Sequence, residues 1–173
     1  WPQQDLVELK KIEGLNIPTL TENNRKSVVA SCWVELEHES AAMWRLYASG
    51  NESVAIVTSF KKLEQAVTLE NSAHITGHRF FSDAARVQYI NHFSDRLLQG
   101  SFRLNVLAPF MFKNISYKHE CEVRALIAMS QVSVPDGLDL QITPGNFIDE
   151  IIINPFAQSW FRKTVQGITT HHG

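Results

Sequence analysis

The alternation of apolar and polar residues is most informative in the stretch Lys113–Met129, whose sequence is KNISYKHECEVRALIAM. Read as one extended strand, this stretch directs Glu120, Glu122 and Arg124 to one face and the odd-numbered residues to the other. Residues 123–129 are almost all apolar, which is typical of a strand at the centre of a sheet. Two carboxylates and a guanidinium at the start of such a strand indicate a functional site. The alternative is that they face solvent and pair weakly along the sheet.

Strand-like and helix-like periodicities alternate along the rest of the chain. Strands are predicted at 27–33, 53–59, 78–81, 86–90, 132–134, 138–142 and 151–153. Helices are predicted at 2–13, 37–48, 60–67 and from Pro155 to about residue 167. Ser82 and Asp83 are expected in a turn, and residues 169–173 in a flexible polar tail. The pattern favours an α/β or α+β fold, a single domain over residues 1–173 with a mixed central sheet flanked by helices.

The predicted helix at 37–48 carries a second group of candidate residues. Ser40, Trp44 and Tyr47 share one helical face because they are spaced by four and three residues. Trp44 and Tyr47 are expected either to anchor the core or to form the wall of a ligand pocket. The second interpretation follows because an aromatic ring with a polar tip can stack on a ring and still form a hydrogen bond.

Charge and composition limit the classes of partner. The 173 residues include 16 basic and 18 acidic side chains, so no broad cationic surface is expected for nucleic acid or anionic lipid. No segment resembles a membrane span or a signal peptide, which predicts a soluble, cytoplasmic protein. Cys32 and Cys121 are expected to be buried thiols, not a disulfide. The chain begins at Trp1, so we expect a processed or partial sequence.

Several of these segments carry a family resemblance. The chain resembles the prokaryotic domain of unknown function 2971 family. The similarity rests on residues 32–48, 54–56, 87–90 and 152–155 and on the spaced pattern Lys113, Tyr117, Glu120, Glu122 and Arg124. Two positions depart from the family pattern, Val34 and Asn114, and the tyrosine strand and Asn-Asp-Pro motif of the family's front segment are not found.

The order of a helix with aromatic residues and a later strand with paired glutamates also resembles the layout of ADP-ribosyltransferase-like proteins. This resemblance implies NAD as a substrate, with no cofactor assigned, and a setting in bacterial defence or toxin systems. It implies that Glu122 grips the ribose and that Glu120 positions the acceptor. The implied substrate-binding residues are Ser40, Trp44 and Tyr47 around the nicotinamide, and Lys113 and Arg124 at the diphosphate.

Two other functions remain open on the same residues. A metal-dependent nuclease would hold a divalent cation between Glu120 and Glu122 and use Lys113 to polarise the phosphate. A non-catalytic module would bind a nucleotide or a protein partner, with the strand carboxylates in a structural role. No metal ligand is assigned, and the acceptor, a protein or a nucleic acid, and the oligomeric state are left open.

Overall fold

The computed structural model describes residues 25–67, 80–91, 107–129 and 137–172. The chain divides into two compact units, each built from two separate segments. The first unit comprises Trp1–Glu35 and Val67–Leu140, and the second comprises Leu36–Ala66 and Gln141–Gly173. Helices and strands are mixed along the chain, which confirms the predicted α/β or α+β class. The prediction of one domain over residues 1–173 stays a prediction.

Seven strands and four helices of at least four residues are described. In chain order, the strands are β1 (Val28–Val34), β2 (Val54–Val57), β3 (Phe80–Arg86), β4 (Gln88–Ile90), β5 (Phe112–Asn114), β6 (Glu122–Met129) and β7 (Glu150–Ile153). The helices are α1 (Ala41–Tyr47), α2 (Phe60–Ala66), α3 (Pro144–Phe147) and α4 (Ser159–His172). Two 3₁₀ helices precede β5 and β6, at Ala108–Met111 and Ile115–Glu120.

Strand β6 is the centre of the first unit. It pairs antiparallel with β1 on one side and with β3 on the other, while β4 and β5 form a separate parallel pair. Leu126 on β6 is fully buried and clusters with Leu107, Met111 and Ala128. The even-numbered face of β6 is therefore apolar core from residue 126 onward, and the two charged residues Glu122 and Arg124 lie at its beginning.

The second unit is organised around the antiparallel pair β2–β7 and the turn that follows β7. Asn154 in this turn is buried, and its side-chain amide donates to the Ser53 hydroxyl at 2.9 Å and to the Gly50 carbonyl at 3.3 Å. Its side-chain oxygen accepts from the Phe156 backbone N–H at 2.9 Å. Arg162 donates to the carbonyl of Pro155 at 2.8 Å. The Ile-Ile-Asn-Pro segment therefore has a structural role: through the hydrogen bonds of Asn154 it fixes the end of β7 to the loop before β2.

Several element predictions are confirmed within the described residues. Strands β1, β2 and β7 and helix α2 lie where the pattern placed them, and the Ser59 hydroxyl accepts from the Lys62 N–H at 3.3 Å, as an N-cap does. The helix predicted at 37–48 is shorter, because Ser40 caps it and α1 begins at Ala41. The helix predicted at 2–13 and the strand predicted at 132–134 lie outside the described residues.

Other predictions are wrong. Residues 115–120 form a 3₁₀ helix and not the start of a strand. Ser82 and Asp83 lie within β3 because β6 supplies hydrogen-bonding partners along their whole length. Residues 138–142 contain no strand. Helix α4 begins at Ser159, not Pro155, and continues to His172, so residues 169–172 are helical and not a tail.

The two cysteines differ from the expectation of buried thiols. Cys32 and Cys121 are both exposed free thiols. Cys32 lies on β1, which among the described strands pairs only with β6. Within the described ranges, no helix is both long and apolar enough to cross a membrane.

Candidate functional site

A short turn before β6 brings the predicted charged residues together. The Asn114 side chain accepts a hydrogen bond from the Ser116 N–H at 3.0 Å and so starts the 3₁₀ helix Ile115–Glu120. Cys121 ends it in the left-handed conformation, with φ 45° and ψ 49°. Such a conformation is unfavourable for a residue with a side chain. Here it places Glu120, at the end of the turn, beside Glu122, at the start of β6.

Four charged side chains form one connected network in the first unit. Lys113 Nζ donates to Glu122 Oε2 at 3.0 Å and also contacts Glu120 Oε2. Arg124 binds Glu122 through two hydrogen bonds, Nε to Oε1 at 2.7 Å and Nη2 to Oε2 at 3.0 Å. Its remaining nitrogen, Nη1, donates to the Phe110 carbonyl. Glu122 is therefore the shared acceptor of both cations.

This network is largely removed from solvent. The side-chain exposures are 8% for Glu120, 6% for Glu122, 17% for Arg124 and 23% for Lys113. The alternative that these residues face solvent and pair only weakly is therefore wrong. Two carboxylates and two cations balance to zero net charge, which is the condition under which such groups tolerate burial.

The network fixes the ionised forms of its members. Burial acts to raise the pKa of Glu122, but hydrogen bonds from Arg124, Cys32 and Lys113 outweigh it and lower the pKa to about 2. Burial acts to lower the pKa of Lys113, and the hydrogen bonds to Glu120 and Glu122 raise it above the ordinary value. Arg124 likewise keeps a raised pKa, despite burial, because of Glu122. All three groups stay charged across the physiological range.

Two neighbours of Glu122 were not predicted as site residues. The Tyr89 hydroxyl accepts the Glu122 backbone N–H at 2.7 Å, from a position on β4 directly opposite Lys113 on β5. Cys32 on β1 lies opposite Arg124. The pKa of its thiol is raised, mainly by partial burial of the sulfur and next by the hydrogen bond to the Glu122 carboxylate. The segment at residues 87–90, which contains Tyr89, supports a strand and the family resemblance, and neither indicates a contact with Glu122.

An aromatic ring adjoins the network. Lys113 Nζ lies 4.9 Å from the centre of the Tyr117 ring, within the range of a cation–π contact. Tyr117 belongs to the same 3₁₀ helix that separates Lys113 from Glu120, and 47% of the residue remains exposed. The charged cluster is thus buried, while the ring beside it reaches solvent.

The other three predicted site residues belong to the second unit. Ser40 is the N-cap of α1, and its hydroxyl accepts from the Met43 N–H at 3.4 Å. Trp44 Nε1 donates to Glu39 Oε2 at 3.1 Å, and Tyr47 is 63% exposed. Helix α1 has no buried residue, so the expectation that these aromatic residues anchor the core is wrong. Their role at a nicotinamide stays a prediction.

The position of Lys113 bears on the metal hypothesis. A divalent cation held by Glu120 and Glu122 would occupy the space between the carboxylates, where the Lys113 ammonium lies. In the part of the chain that the structure describes, no group of three or more histidine, cysteine, aspartate or glutamate side chains is arranged to hold a metal ion. A cation would therefore have to displace Lys113 from two carboxylates.

Comparison with known proteins supports the resemblance noted in the sequence. Residues 43–125 match the family model described as protein of unknown function DUF2971. The match includes most of α1, the 3₁₀ helix Ile115–Glu120 and the start of β6, so it covers all seven predicted site residues except Ser40. No curated protein and no solved structure shows a significant similarity to the chain.

Proposed function

We propose that this protein consumes NAD, as an ADP-ribosyltransferase or an NAD glycohydrolase, with Glu122 as the carboxylate that stabilises the reacting ribose. The observation that carries the proposal is the state of Glu122, which is ionised, buried and held in a fixed orientation by Arg124 and Lys113. A negative charge that is already held in position stabilises a developing oxocarbenium centre well, because the carboxylate does not have to reorient during the reaction. The choice of NAD follows from the resemblance of layout noted in the sequence, and the side-chain network supports the role of Glu122.

The proposed step breaks the bond between the ribose C1′ and the nicotinamide nitrogen. The bonding electron pair goes to that nitrogen, so the positively charged pyridinium leaves as neutral nicotinamide. The positive charge moves to the ribose C1′ and its ring oxygen, where Glu122 stabilises it. Water or an acceptor nucleophile then bonds to C1′ and loses its proton to solvent or to a base. We assign that base role to Glu120, whose carboxylate contacts the same Lys113 ammonium.

Binding of the NAD diphosphate would use the two cations of the network. Lys113 and Arg124 are both paired with Glu122, so a diphosphate has to compete with this carboxylate for them. Lys113 is the more available of the two because its side chain is 23% exposed, against 17% for Arg124. We therefore assign the first phosphate contact to Lys113 and the orientation of Glu122 to Arg124.

The test compares nicotinamide release by the full chain and by two glutamine variants. Glu122→Gln keeps the side-chain shape and removes the charge, and we expect turnover to fall roughly 10²–10³-fold. Glu35→Gln is the matched control, since Glu35 also pairs with an arginine in the first unit, at a distance of 2.5 Å to Arg86, but outside the network. Circular dichroism and melting curves verify that each variant is folded. Full turnover by Glu122→Gln beside an active wild type would contradict the proposal.

A second function, nucleotide binding without catalysis, is favoured by one observation. Both carboxylate oxygens of Glu122 already accept hydrogen bonds, and only 6% of its side chain is exposed, which restricts access by a substrate. Under this hypothesis calorimetry detects NAD binding by the wild type, and no nicotinamide appears during prolonged incubation. Any nicotinamide release that depends on Glu122 would contradict it.

A further inference from the structure

The backbone of Glu122 is held by an irregular pair of hydrogen bonds. Strand β3 pairs with β6 as far as the register Arg86↔Val123, and the next residue, Val87, donates its N–H to the Glu122 carbonyl at 2.8 Å. In a regular antiparallel ladder the Glu122 N–H would donate to the Val87 carbonyl in return. It donates instead to the Tyr89 hydroxyl, at 2.7 Å. A side chain therefore takes the place of a backbone acceptor at the residue that carries the buried carboxylate.

Tyr89 and Lys113 reach Glu122 from neighbouring strands. They are opposite each other in the parallel pair β4–β5, so their side chains lie on the same face of that pair. Tyr89 binds the backbone N–H of Glu122, and Lys113 Nζ lies 3.0 Å from its carboxylate Oε2. The β4–β5 pair therefore holds Glu122 at both its backbone and its carboxylate. The bond to Tyr89 sets how far the Glu122 backbone lies from the strand that carries Lys113.

The Glu122 N–H depends on the Tyr89 hydroxyl because the residue is removed from water. Only 5% of Glu122 is exposed, so solvent does not readily replace a lost acceptor, and a buried N–H without an acceptor is unfavourable. Without the hydroxyl we expect the start of β6 to shift until this N–H finds another acceptor. The carboxylate moves with its backbone, and a displacement of about 1 Å from a reacting centre can lower a rate roughly 100-fold.

We infer that Tyr89 is a positioning residue that fixes the Glu122 carboxylate through the backbone of the same residue. The inference rests on the proposed function and deepens it, because it adds the residue that sets where the stabilising charge lies relative to the reacting ribose. Arg124 and Lys113 orient the end of the Glu122 side chain, whereas Tyr89 fixes the backbone from which it extends. Tyr89 needs no contact with the substrate in this role. Its loss therefore slows the reaction of bound NAD and leaves the binding of NAD unchanged.

The experiment compares the wild type with Tyr89→Phe, which removes only the hydroxyl, in two measurements. The first is nicotinamide release over a range of NAD concentrations, where we expect kcat to fall about tenfold or more and KM to stay within about twofold of wild type. The second is the carbon-13 NMR signal of the Glu122 side-chain carboxyl, recorded at neutral pH without NAD. We expect this signal to shift in Tyr89→Phe, because the hydrogen bonds of the carboxylate to Lys113 and Arg124 change with its position.

Ser59→Ala is the matched control. The Ser59 hydroxyl also accepts a backbone N–H, that of Lys62 at 3.3 Å, but it does so in the second unit. This variant loses the same kind of hydrogen bond and leaves both kcat and the Glu122 signal unchanged. Melting curves and circular dichroism verify folding. If Tyr89→Phe melts below the assay temperature, a ring-fluorinated tyrosine at position 89 keeps the hydroxyl, weakens it as an acceptor and shifts both readouts in the same direction by less.

The outcomes separate the inference from the function on which it rests. With an active wild type, an unchanged kcat in folded Tyr89→Phe would overturn the positioning role, whether or not KM or the melting temperature changes, and would leave the proposed function standing. A fall in kcat without a shift of the Glu122 signal would overturn it as well, because Tyr89 would then act on the substrate directly. A wild type that releases no nicotinamide would overturn the proposed function. The carboxyl signal then decides the positioning of Glu122 by itself: a shift in Tyr89→Phe supports it, and no shift overturns it.

Discussion

Replacing Arg124 with alanine removes one of the two cations that hold the Glu122 carboxylate. Two hydrogen bonds to Glu122 are lost, at 2.7 and 3.0 Å, together with the one to the Phe110 carbonyl. Removing one partner of a buried ion pair costs about 3–5 kcal/mol, because the remaining charge is left uncompensated. Lys113 still contacts Glu122 after the change, so we expect the lower value, about 3 kcal/mol. For a chain of this length that corresponds to a fall in Tm of roughly 6–12 °C.

Acid unfolding supplies an independent readout of the same change. The pKa of Glu122 is about 2 in the folded chain against an ordinary value of 4.5, so the folded state binds fewer protons. The resulting stabilisation, roughly 3 kcal/mol, is fully present above the ordinary pKa and is lost as the pH falls through the folded pKa. Without Arg124 the folded pKa of Glu122 rises. The variant therefore loses less stability than the wild type between about pH 5 and pH 2.

The assay is urea unfolding, monitored by tryptophan fluorescence and circular dichroism. It is carried out at neutral pH and at a series of decreasing pH values. Arg86→Ala is the matched control, because Arg86 forms two comparable hydrogen bonds to Glu35, at 2.5 and 2.6 Å, in an exposed position. Their side-chain exposures are 68% and 47%, so solvent screens this pair and we expect a much smaller loss of stability. An Arg124→Ala unfolding curve as close to wild type as that of Arg86→Ala would refute the reasoning about the buried network.

Three further changes test the supporting structure. Leu126→Ala is expected to cost about 2–5 kcal/mol in urea unfolding because the side chain is fully buried; a loss no larger than that of exposed Leu46→Ala would count against this core. Asn154→Ala is expected to cost about 1–3 kcal/mol and to speed amide exchange near Ser53, through loss of its buried hydrogen bonds. Unchanged amide exchange near Ser53 would show that the hydrogen bonds of Asn154 do not stabilise this loop. Cys121→Val is expected to melt below Cys121→Gly by an amount equivalent to about 1–2 kcal/mol, since only glycine adopts a left-handed backbone freely; equal melting temperatures would mean that the turn relaxes.

The sequence pattern predicted the centre of the first unit because burial on both faces leaves a clear signature. The run after Glu122 is apolar and long enough for a strand, and β6 is indeed the middle strand of its sheet. The alternation also predicted Glu120, Glu122 and Arg124 on one face, but it placed Lys113 on the other; Lys113 contacts the glutamates because residues 115–120 form a 3₁₀ helix instead of a strand.

The pattern failed where local hydrogen bonds outweighed side-chain alternation. Residues 115–120 have the alternation of a strand, but the Asn114 cap and the left-handed Cys121 fold them into a 3₁₀ helix. Helix α4 also continues beyond its predicted end, because the hydroxyls of Thr169 and Thr170 donate to carbonyls of the preceding turn instead of ending the helix. Such hydrogen bonds depend on individual side chains and cannot be predicted from the periodicity of apolar residues.

The contacts of Tyr89 and Cys32 depended on tertiary pairing. Tyr89 reaches the Glu122 backbone from 33 residues away, and Cys32 lies beside Arg124 only because β1 pairs with β6 in a particular register. A shift of one residue would move the thiol to the other face of the sheet. Strand register over such separations is decided by the whole fold, so neither neighbour could be derived from its own segment.

The central claim, that the network of Lys113, Glu120, Glu122 and Arg124 serves a reaction on NAD, is tested most directly by a proton NMR time course. NAD is incubated with the full wild-type chain, and the signals of its nicotinamide ring are followed against a sample without protein. The account predicts that these signals decrease while those of free nicotinamide grow in equal amount, with ADP-ribose or an ADP-ribosylated acceptor as the other product. NAD that stays intact in the presence of folded protein, with and without candidate acceptors, would contradict it.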